Sequence, residues 1–379
     1  MGKDNLGTYA KERLVLLAKE MDRRLEVYWD GELKRNFGFN ISQKELVKKI
    51  LLHAKEHNLR SAKRARAGFV YYGYKLGEKD SGLPQLEYEI RNDGGDIWKA
   101  CEAVEIVHTA LLMHDDFMDE DLVRRGEPTT QVFFGKDNKH FGEAMAVNVG
   151  DAVLCLGYER LLDCGFEAEK INKVMRQMLR SITNTAYGQA YDVSLPKLEG
   201  LNEEKVLSLH RAKTGIYTYE NPLLIGGILA GLGEDILETL RDYSADGGVA
   251  FQLQDDILGM FGDENKTGKS ANSDLLQGKV TLLVVKTLEM GNEEQKKDLL
   301  KVWGKGGAVN GSLVVDGRDI ERAKRVIKES GSYEYSVEVA RKLNLKSIET
   351  IQKLREMNLK EESIDYLEGI ARYMMEREV

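Results

Sequence analysis

Residues 98–121 read WKACEAVEIVHTALLMHDDFMDED, and this stretch decides the fold class. Its first sixteen residues are apolar nearly all round a helix. The exceptions form one narrow polar stripe, Glu102, Glu105 and Thr109. Residues 115–121 then carry five acidic side chains, which a core helix does not need. The stretch therefore predicts a central helix of a bundle, with a functional site at its C-terminal end.

A second acidic segment, Gln254-Asp255-Asp256-Ile257-Leu258-Gly259, ends another apolar helical pattern far along the chain. In the first segment, Asp115 and Asp119 are four residues apart and so share one helix face. This arrangement suits joint ligation of Mg²⁺, which keeps several waters and binds through one or two carboxylates plus phosphate oxygens. One such motif is also typical of a solvated helix end. Two of them favour a site that holds divalent cations around a diphosphate.

Helical periodicity covers almost the whole chain. Only four prolines interrupt 379 residues, and apolar residues recur at helical rather than alternating spacing. Ser42-Gln43-Lys44-Glu45 predicts a capping box that begins a helix reaching Leu59. The other helical patterns cover residues 143–163, 171–193, 203–230, 236–262 and 280–289, with loops at 77–96 and 304–318. The sequence therefore predicts an all-α fold without strands. It also predicts a single domain over residues 1–379, with a glycine-rich insertion at about 304–318.

The composition excludes several classes of protein. The chain has 55 Lys and Arg against 63 Asp and Glu, and the net charge of -8 argues against a general nucleic-acid binder. Three cysteines without a CxxC pair predict neither a disulfide framework nor a thiolate zinc site. The longest uncharged run, 221–233, is too short to span a bilayer, and the N-terminus is charged where a signal peptide would be apolar. We therefore expect a soluble, cytoplasmic protein.

Basic residues follow the first acidic segment and recur elsewhere. Arg124 and Arg125 point in different directions, so one could bind a metal-bound diphosphate while the other reaches a second anion. The segment Lys63-Arg64-Ala65-Arg66 is a second candidate anion site. As isolated motifs, both are equally typical of a solvated surface. The same holds for three lysines near glycines, Lys213, Lys269 and Lys279. His53 and His57 lie one turn apart, but without a third ligand we interpret them as structural or exposed.

These residues, taken in order, resemble the trans-type isoprenyl diphosphate synthases. The matching motifs are Lys63-Arg64-x-Arg66, His108, Asp115-Asp116-x-x-Asp119, Arg124-Arg125-Gly126, Gly188-Gln189-x-x-Asp192, Lys213-Thr214, Phe251-Gln252-x-x-Asp255-Asp256, Lys269 and Gly278-Lys279. The match runs from about Ala54 to Val284. The segment from Asp255 to Leu283 looks most like archaeal-type short-chain members, such as geranylgeranyl and farnesyl diphosphate synthases.

The resemblance implies a homodimer of helical bundles, each around a deep central cavity. It implies that Asp115, Asp119 and Asp255 ligate Mg²⁺, with Asp116, Asp192, Asp256 and Asp274 holding metal-bound water. The allylic diphosphate would be bound by Arg124, Lys213, Thr214, Gln252, Lys269 and Lys279. Isopentenyl diphosphate would be bound by Lys63, Arg66, His108 and Arg125. The implied catalytic set is Asp115, Asp119, Asp255, Arg124, Lys213 and Lys279.

This sequence departs from the family pattern at several positions. The family usually has Gly-Gly before the first basic motif and Pro after it, whereas this chain has Ser61, Ala62 and Ala67. These three residues predict that the loop at the isopentenyl site departs from the geometry usual in the family. Gly259 stands where many members carry a last aspartate. The glycine-rich segment after Trp303 matches no family motif.

The implied reaction needs no protein nucleophile. The cations stabilise the departing pyrophosphate, the alkene of isopentenyl diphosphate attacks the allylic cation, and a proton is lost. In this family the product grows along the helix before Asp115, at about 1.5 Å per residue. Small or modest side chains at Ala110, Leu111 and Val107 therefore predict a product of twenty carbons or slightly more. Alternatively, Ala110 only packs against a neighbouring helix.

Two other functions share part of this pattern. A class I terpene cyclase would have the aspartate-rich helix, but it would not need Lys63, Arg66 and His108 as a second diphosphate site. It would also carry an Asn/Ser/Glu motif in place of Asp255-Asp256. A non-catalytic partner subunit of a prenyl synthase would be expected to have lost metal ligands that are present here.

Overall fold

The computed structural model describes residues 5–78, 95–195, 200–262, 272–305, 308–309, 312–313 and 315–376. In the first half of the chain the helices are α1 (Leu6–Glu32), α2 (Ile41–Leu59), α3 (Ala65–Lys75), α4 (Asp96–Met118), α5 (Thr130–Phe134), α6 (Lys139–Leu162) and α7 (Ala168–Ser194). They are followed by α8 (Glu203–His210), a π-helix (Arg211–Glu220), α9 (Asn221–Ala230), α10 (Glu234–Phe261), α11 (Ser273–Gln277), α12 (Leu282–Met290) and α13 (Glu293–Leu300). The last elements are α14 (Gly317–Glu329), α15 (Ser332–Gln352), a 3₁₀ turn (Lys353–Glu356) and α16 (Glu361–Met375).

The all-α prediction is confirmed, with two small exceptions. β1 (Val123–Arg124) pairs antiparallel with β2 (Glu127–Pro128), and β3 (Ala308–Val309) pairs with β4 (Ser312–Leu313). Strands of two residues are too short to show a period, so no sequence pattern indicated them. The second hairpin lies inside the glycine-rich segment, of which residues 306–307, 310–311 and 314 lie outside the described part.

The described chain divides into two compact units. The first comprises residues 1–179, 221–237 and 355–369, and the second comprises residues 180–220, 238–354 and 370–379. The prediction of a single domain stays a prediction. No helix among the described residues is both long and apolar enough to cross a membrane.

In the first unit, α4 forms the core together with α3, α6 and α9. Its residues Cys101, Ile106 and Val107 are fully buried on different sides of the helix, as the apolar pattern predicted. The polar stripe Glu102, Glu105 and Thr109 is buried as well. The helix therefore carries charged groups into a packed core, where they need partners.

α4 and α6 approach each other closely because α6 carries glycines at the contact. A Cβ added at Gly157 would lie 2.5 Å from Cγ2 of Val107, so a larger residue would push the helices apart. At Gly150 the same added atom would collide with the His114 ring. The stripe of α4 that contains Val107 and His114 therefore faces α6.

The second unit is held together by two apolar clusters. One contains Ile257, Leu283, Val302 and Ile327, among others, and joins the end of α10 to α12 and α14. The other joins α8, the middle of α10, α12 and α15 through residues such as Val206 and Leu253. These clusters fix the helices that carry the second acidic segment.

The start of α2 was predicted two residues too late. Asn40, not Ser42, is the N-cap, and it forms the capping box with Gln43. Ser42 instead donates its hydroxyl to the Asn40 side chain at 2.9 Å. The helix predicted over 203–230 is also interrupted, since its middle is the π-helix.

Candidate active site

The first unit carries one group of candidate residues at the acidic end of α4. The Asp119 N–H donates to the Asp115 carbonyl at 2.8 Å, so the two residues keep the helical spacing although α4 ends at Met118. Glu120 has a φ of 56°, which ends the helical path. The Asp121 N–H then turns back to the Asp116 carbonyl at 2.8 Å. Several carboxylates are thereby gathered around one helix end.

Arg124, on β1, neutralises part of this charge. Its Nε donates to Oδ1 of the fully buried Asp116, and its Nη2 lies 3.3 Å from Asp121 and 3.6 Å from Asp115. Burial opposes the charge on Arg124, but the carboxylates, Asp116 above all, outweigh it and raise the pKa of the guanidinium. Arg124 therefore keeps its positive charge, and an anion bound to its guanidinium would share that charge with Asp116.

Two buried histidines of α2 lie behind the acidic end. His57 Nε2 is 3.7 Å from Oδ2 of Asp116, longer than a hydrogen bond, and His53 Nε2 is 3.0 Å from the Thr130 hydroxyl. Burial lowers the pKa of both, and burial together with the positive charges of His57 and Arg60 brings the pKa of His53 down to about 4. The sequence offered no signal for the contact of His57 with Asp116, because it joins distant residues.

The first basic motif is built around a buried arginine. Arg64 has a φ of 54° and bonds to Asp22 at 2.8 Å, to Glu105 at 3.1 Å and to the Asn58 carbonyl at 2.6 Å. The other oxygen of Glu105 accepts the Ala67 N–H at 3.2 Å. Arg64 is thus a structural anchor, while Lys63, on one side of it, is exposed to solvent.

An excess of positive charge surrounds His108. Burial lowers the pKa of His108 well below its usual value, and the positive charges of Arg66, Arg125, Arg124 and Arg64 lower it further. Arg125 as a whole reaches solvent, but its guanidinium is partly desolvated against the Arg60 carbonyl, 3.2 Å away. Loss of hydration and the neighbouring arginines lower its pKa to about 10, so it stays charged at neutral pH. This region of the first unit attracts anions.

The second unit carries its own group of candidate residues, on the π-helix and α10. Lys213 Nζ donates to Asp192 of α7 at 2.8 Å. Gly188 permits this approach, because a Cβ there would lie only 3.0 Å from the Lys213 backbone nitrogen. π-helical turns often occur at functional sites, where they redirect side chains.

A chain of hydrogen bonds connects Thr214 to the second acidic segment. The Thr214 hydroxyl donates to Oε1 of Gln252 at 2.6 Å, and Nε2 of Gln252 donates to Oδ1 of Asp256 at 2.8 Å. The other oxygen of Asp256 lies 3.0 Å from Nε2 of His210. His210 was not predicted, since a single histidine near a helix end has no distinguishing pattern. Asp255, the residue before Asp256, is partly exposed.

Lys279 also lies in the second unit. Its Nζ is 3.3 Å from Asp274, its N–H donates to the Asp274 carbonyl at 2.9 Å, and its carbonyl accepts the Trp303 indole N–H at 2.9 Å. Gly278, at a φ of 75°, provides the turn. Each of the three aspartates thus has a partner. Asp192 pairs with Lys213 and Asp274 with Lys279, while Asp256 contacts Gln252 and His210. Lys269 lies outside the described residues.

The acidic residues fit a divalent cation that takes part of its ligands from the substrate. Within the described ranges, no group of three His, Cys, Asp or Glu side chains lies close enough to hold a metal ion. Mg²⁺ does not need such a cage when water and phosphate oxygens complete its octahedron. Oδ2 of Asp116 is buried without a hydrogen-bond partner in the described part of the chain, so the acidic end of α4 has acceptor capacity to spare.

The predicted product-length residues all lie on α4. Ala110 and Val107 are fully buried, and Leu111 is partly buried. Ala110 belongs to the same helical stripe as Val107 and His114, which faces α6.

Comparison with known proteins identifies the class as a prenyl-transferring enzyme. A family model described as polyprenyl synthetase matches residues 48–313. The geranylgeranyl diphosphate synthase of Saccharolobus solfataricus is 34% identical over 280 residues, which are 72% of this chain and 80% of that protein. The geranylfarnesyl diphosphate synthase of Aeropyrum pernix is 32% identical over 242 residues, 63% of this chain and 70% of that protein.

A solved structure shares the fold. The geranylgeranyl pyrophosphate synthase of Corynebacterium glutamicum, complexed with isoprenyl diphosphate and magnesium, superposes with a TM-score of 0.78 at 24% identity, and all of both chains is covered.

The chain therefore belongs to the polyprenyl synthetase family. It is a transferase that condenses isopentenyl diphosphate with an allylic diphosphate, as the resemblance implied. The alternatives of a terpene cyclase and a non-catalytic partner subunit are set aside by these relatives.

Proposed function

We propose that this enzyme is a Mg²⁺-dependent, cytoplasmic homodimer that makes an all-trans prenyl diphosphate of twenty carbons or slightly more. The observation that carries the proposal is the acidic end of α4, where Asp115 and Asp119 share a face beside the fixed cation Arg124. The named relatives make geranylgeranyl and geranylfarnesyl diphosphates, which supports this range of product length.

The residues of the first unit would serve both substrates. Asp115 and Asp119 would hold the cation, while Asp116 keeps Arg124 in place and would accept hydrogen bonds from the water that Mg²⁺ retains. Arg124 then binds the allylic diphosphate. Isopentenyl diphosphate binds to Lys63, Arg66, His108 and Arg125. Its negative charge neutralises the positive charge of the arginines around His108.

The residues of the second unit would serve the allylic diphosphate. Asp255 would hold a cation, with Asp192, Asp256 and Asp274 holding its waters, while Asp192 and Asp274 also orient Lys213 and Lys279. Lys213, Lys279 and Lys269 neutralise the leaving pyrophosphate, and the hydrogen-bond chain of Thr214 and Gln252 fixes the reacting end. Magnesium, when bound between carboxylates and diphosphate, supplies further positive charge to the leaving group.

Most of these groups are cations or hold one in place, so together they favour ionisation of the allylic diphosphate. The electrostatic stabilisation is present before the bond breaks, so the protein need not reorganise when pyrophosphate leaves. The alkene of isopentenyl diphosphate attacks the allylic cation, and the departed pyrophosphate accepts the proton that is lost. Apolar side chains of α4 exclude water, which would otherwise trap the cation.

The test is an incubation with isopentenyl diphosphate, dimethylallyl diphosphate and Mg²⁺, with and without chelator, followed by mass analysis of the products. We expect a chelator-sensitive series that ends at one length. Asp119→Asn should lower kcat/KM by about 10² or more, since it removes a carboxylate that would hold the cation beside the leaving group. Asp163→Asn is the matched control, because Asp163 ends α6 in the same backbone conformation as Asp119 ends α4. Full activity of Asp119→Asn, or turnover unaffected by chelator, would contradict the proposal.

A further inference from the structure

An exposed apolar and basic segment joins α1 to α2 in the first unit, far in sequence from the acidic end of α4. We define it as the α1–α2 segment, residues 34–48. Phe37 is 41% exposed, Phe39 is 42% exposed and Ile41 is 80% exposed. The two phenylalanine rings stack with their centroids 6.3 Å apart, so they form one patch and not two isolated side chains. Large apolar groups collected in this way at a surface mark an interaction site.

The charge of the segment is opposite to that of the protein. It contains Lys34, Arg35, Lys44 and Lys48 against the single acid Glu45, whereas the whole chain has a net charge of -8. Lys34, Lys44 and Lys48 are exposed, while Arg35 is bound by Glu159 at 2.6 Å. The bidentate bond of Arg35 to α6 holds the segment against the body of the unit.

The pairing of exposed aromatic rings with flanking lysines is the chemistry of a lipid interface. Phenylalanine and isoleucine enter the boundary between headgroups and acyl chains, while lysines contact anionic headgroups. The segment is a turn followed by the first turn of α2, which begins at Ile41, and residues 34–46 are all exposed. This exposed mixture of aromatic and basic groups fits a lipid surface, whereas the exposed face of α6, with one charged residue between positions 141 and 162, offers a better surface for a second protein chain.

We infer that the α1–α2 segment docks this enzyme on anionic lipid bilayers, with Phe37, Phe39 and Ile41 inserted at the interface and Lys34, Lys44 and Lys48 at the headgroups. This inference goes beyond the proposed function and does not depend on product length. The substrates are water-soluble diphosphates and the product is an amphiphile, so an enzyme docked in this way would release its product beside the phase in which it dissolves.

The test is sedimentation of the full-length protein with vesicles, in the absence of substrates. The vesicles contain phosphatidylcholine alone or phosphatidylcholine with phosphatidylglycerol. We expect binding to the anionic vesicles only, and binding should weaken as salt is added because the lysine contacts are screened. A triple variant, Phe37→Ser/Phe39→Ser/Ile41→Ser, should lower the partition coefficient about tenfold or more, since apolar burial at the interface is lost.

Two further variants keep the result decisive. Val15→Ser/Val27→Ser is the matched control, because these valines of α1 are 47% and 62% exposed but lie outside the segment. Ile41→Ser alone removes a side chain that is almost wholly in solvent, so it tests the surface even if the triple variant fails to fold. Condensation of isopentenyl diphosphate in solution should be unchanged in all of them.

The inference is overturned if the wild type does not bind anionic vesicles, or if the Phe37, Phe39 and Ile41 variants bind them as well as the control does. Light scattering of the same proteins distinguishes the rival occupant. If the wild type ignores vesicles and the triple variant loses half of its mass in solution, the segment is a contact between two copies of this chain. Failure of vesicle binding with intact turnover would leave the proposed synthase function standing.

Discussion

At the scale of single residues, Glu105 explains how this chain forms its first basic motif without the glycines and proline usual in the family it resembles. One oxygen of Glu105 pairs with Arg64 and the other accepts the Ala67 N–H. A proline at position 67 has no N–H and could not make the second bond. The anchor therefore replaces loop stiffness by a buried ion pair, which holds Lys63 and Arg66 on either side of Arg64.

Glu105→Gln should weaken the isopentenyl site more than the allylic site. It leaves the charge of the buried Arg64 with Asp22 alone, and we expect a loss of about 2 kcal/mol or more of unfolding free energy. The KM for isopentenyl diphosphate should rise at least about tenfold while the KM for the allylic substrate changes little. Steady-state kinetics with each substrate varied in turn measures this difference.

Glu102→Gln is the matched control for that prediction. Glu102 is also buried on α4 and is paired, but its partner is Arg160 of α6, away from the basic motif. The control should lose stability without a selective rise in the KM for isopentenyl diphosphate. An equal effect of both variants on that KM would show that Glu105 acts only through general stability.

His53 gives a residue-scale prediction about pH. Its pKa is about 4 in the folded protein, because burial and nearby positive charges oppose protonation, against about 6.5 when unfolded. Between these values the unfolded chain binds more protons, so the free energy of unfolding falls as the pH falls, by about 3 kcal/mol in all. His53→Gln should reduce the loss measured by urea unfolding between pH 7.5 and pH 4.5. The exposed His140→Gln should not, and an unchanged loss in His53→Gln would refute the assignment.

At the scale of elements, periodicity predicted the helices well and their ends and contacts poorly. α4 could be predicted from its own residues because burial all round leaves a continuous apolar signal. Periodicity does not reveal the cap at Asn40 or the β1–β2 hairpin, because each involves only one or two residues per element. It also does not distinguish the π-helix at Arg211–Glu220 from an α-helix. His57 and His210 lie beside Asp116 and Asp256 only through tertiary packing, so single-sequence reasoning could not find them.

The prediction about product length depends on whether Ala110 lines the path of the growing product or only packs against α6. If the product passes Ala110, then Ala110→Phe should block it and shorten the main product by five carbons or more. If Ala110 only packs against α6, the added ring should cost about 1 to 3 kcal/mol of stability and leave the product unchanged. Mass analysis of the products and thermal unfolding, done on the same protein, separate the two results. Leu112→Phe, on the opposite side of the same turn, should leave product length unchanged.

At the scale of the whole molecule, α6 presents a surface that a lone chain would not be expected to leave in water. Eight residues between positions 141 and 162 are exposed, and only one of them is charged, although 31% of the whole chain is charged. They are Phe141, Ala144, Val147, Asn148, Asp151, Ala152, Cys155 and Leu162. A long helix face with so little charge is typical of the interface of a homodimer, which is the basis for proposing one.

Ala152→Glu should therefore convert a dimer into monomers. Ala152 lies near the middle of the exposed face of α6, and the two-fold axis of a homodimer would bring two copies of the new carboxylate together without water to solvate them. Light scattering coupled to size exclusion should give twice the chain mass of 42.8 kDa for the wild type and one chain mass for the variant. Leu345→Glu, on the exposed side of α15, should stay dimeric. A dimer that survives Ala152→Glu would place the interface on another surface, and a wild-type monomer would refute the homodimer altogether.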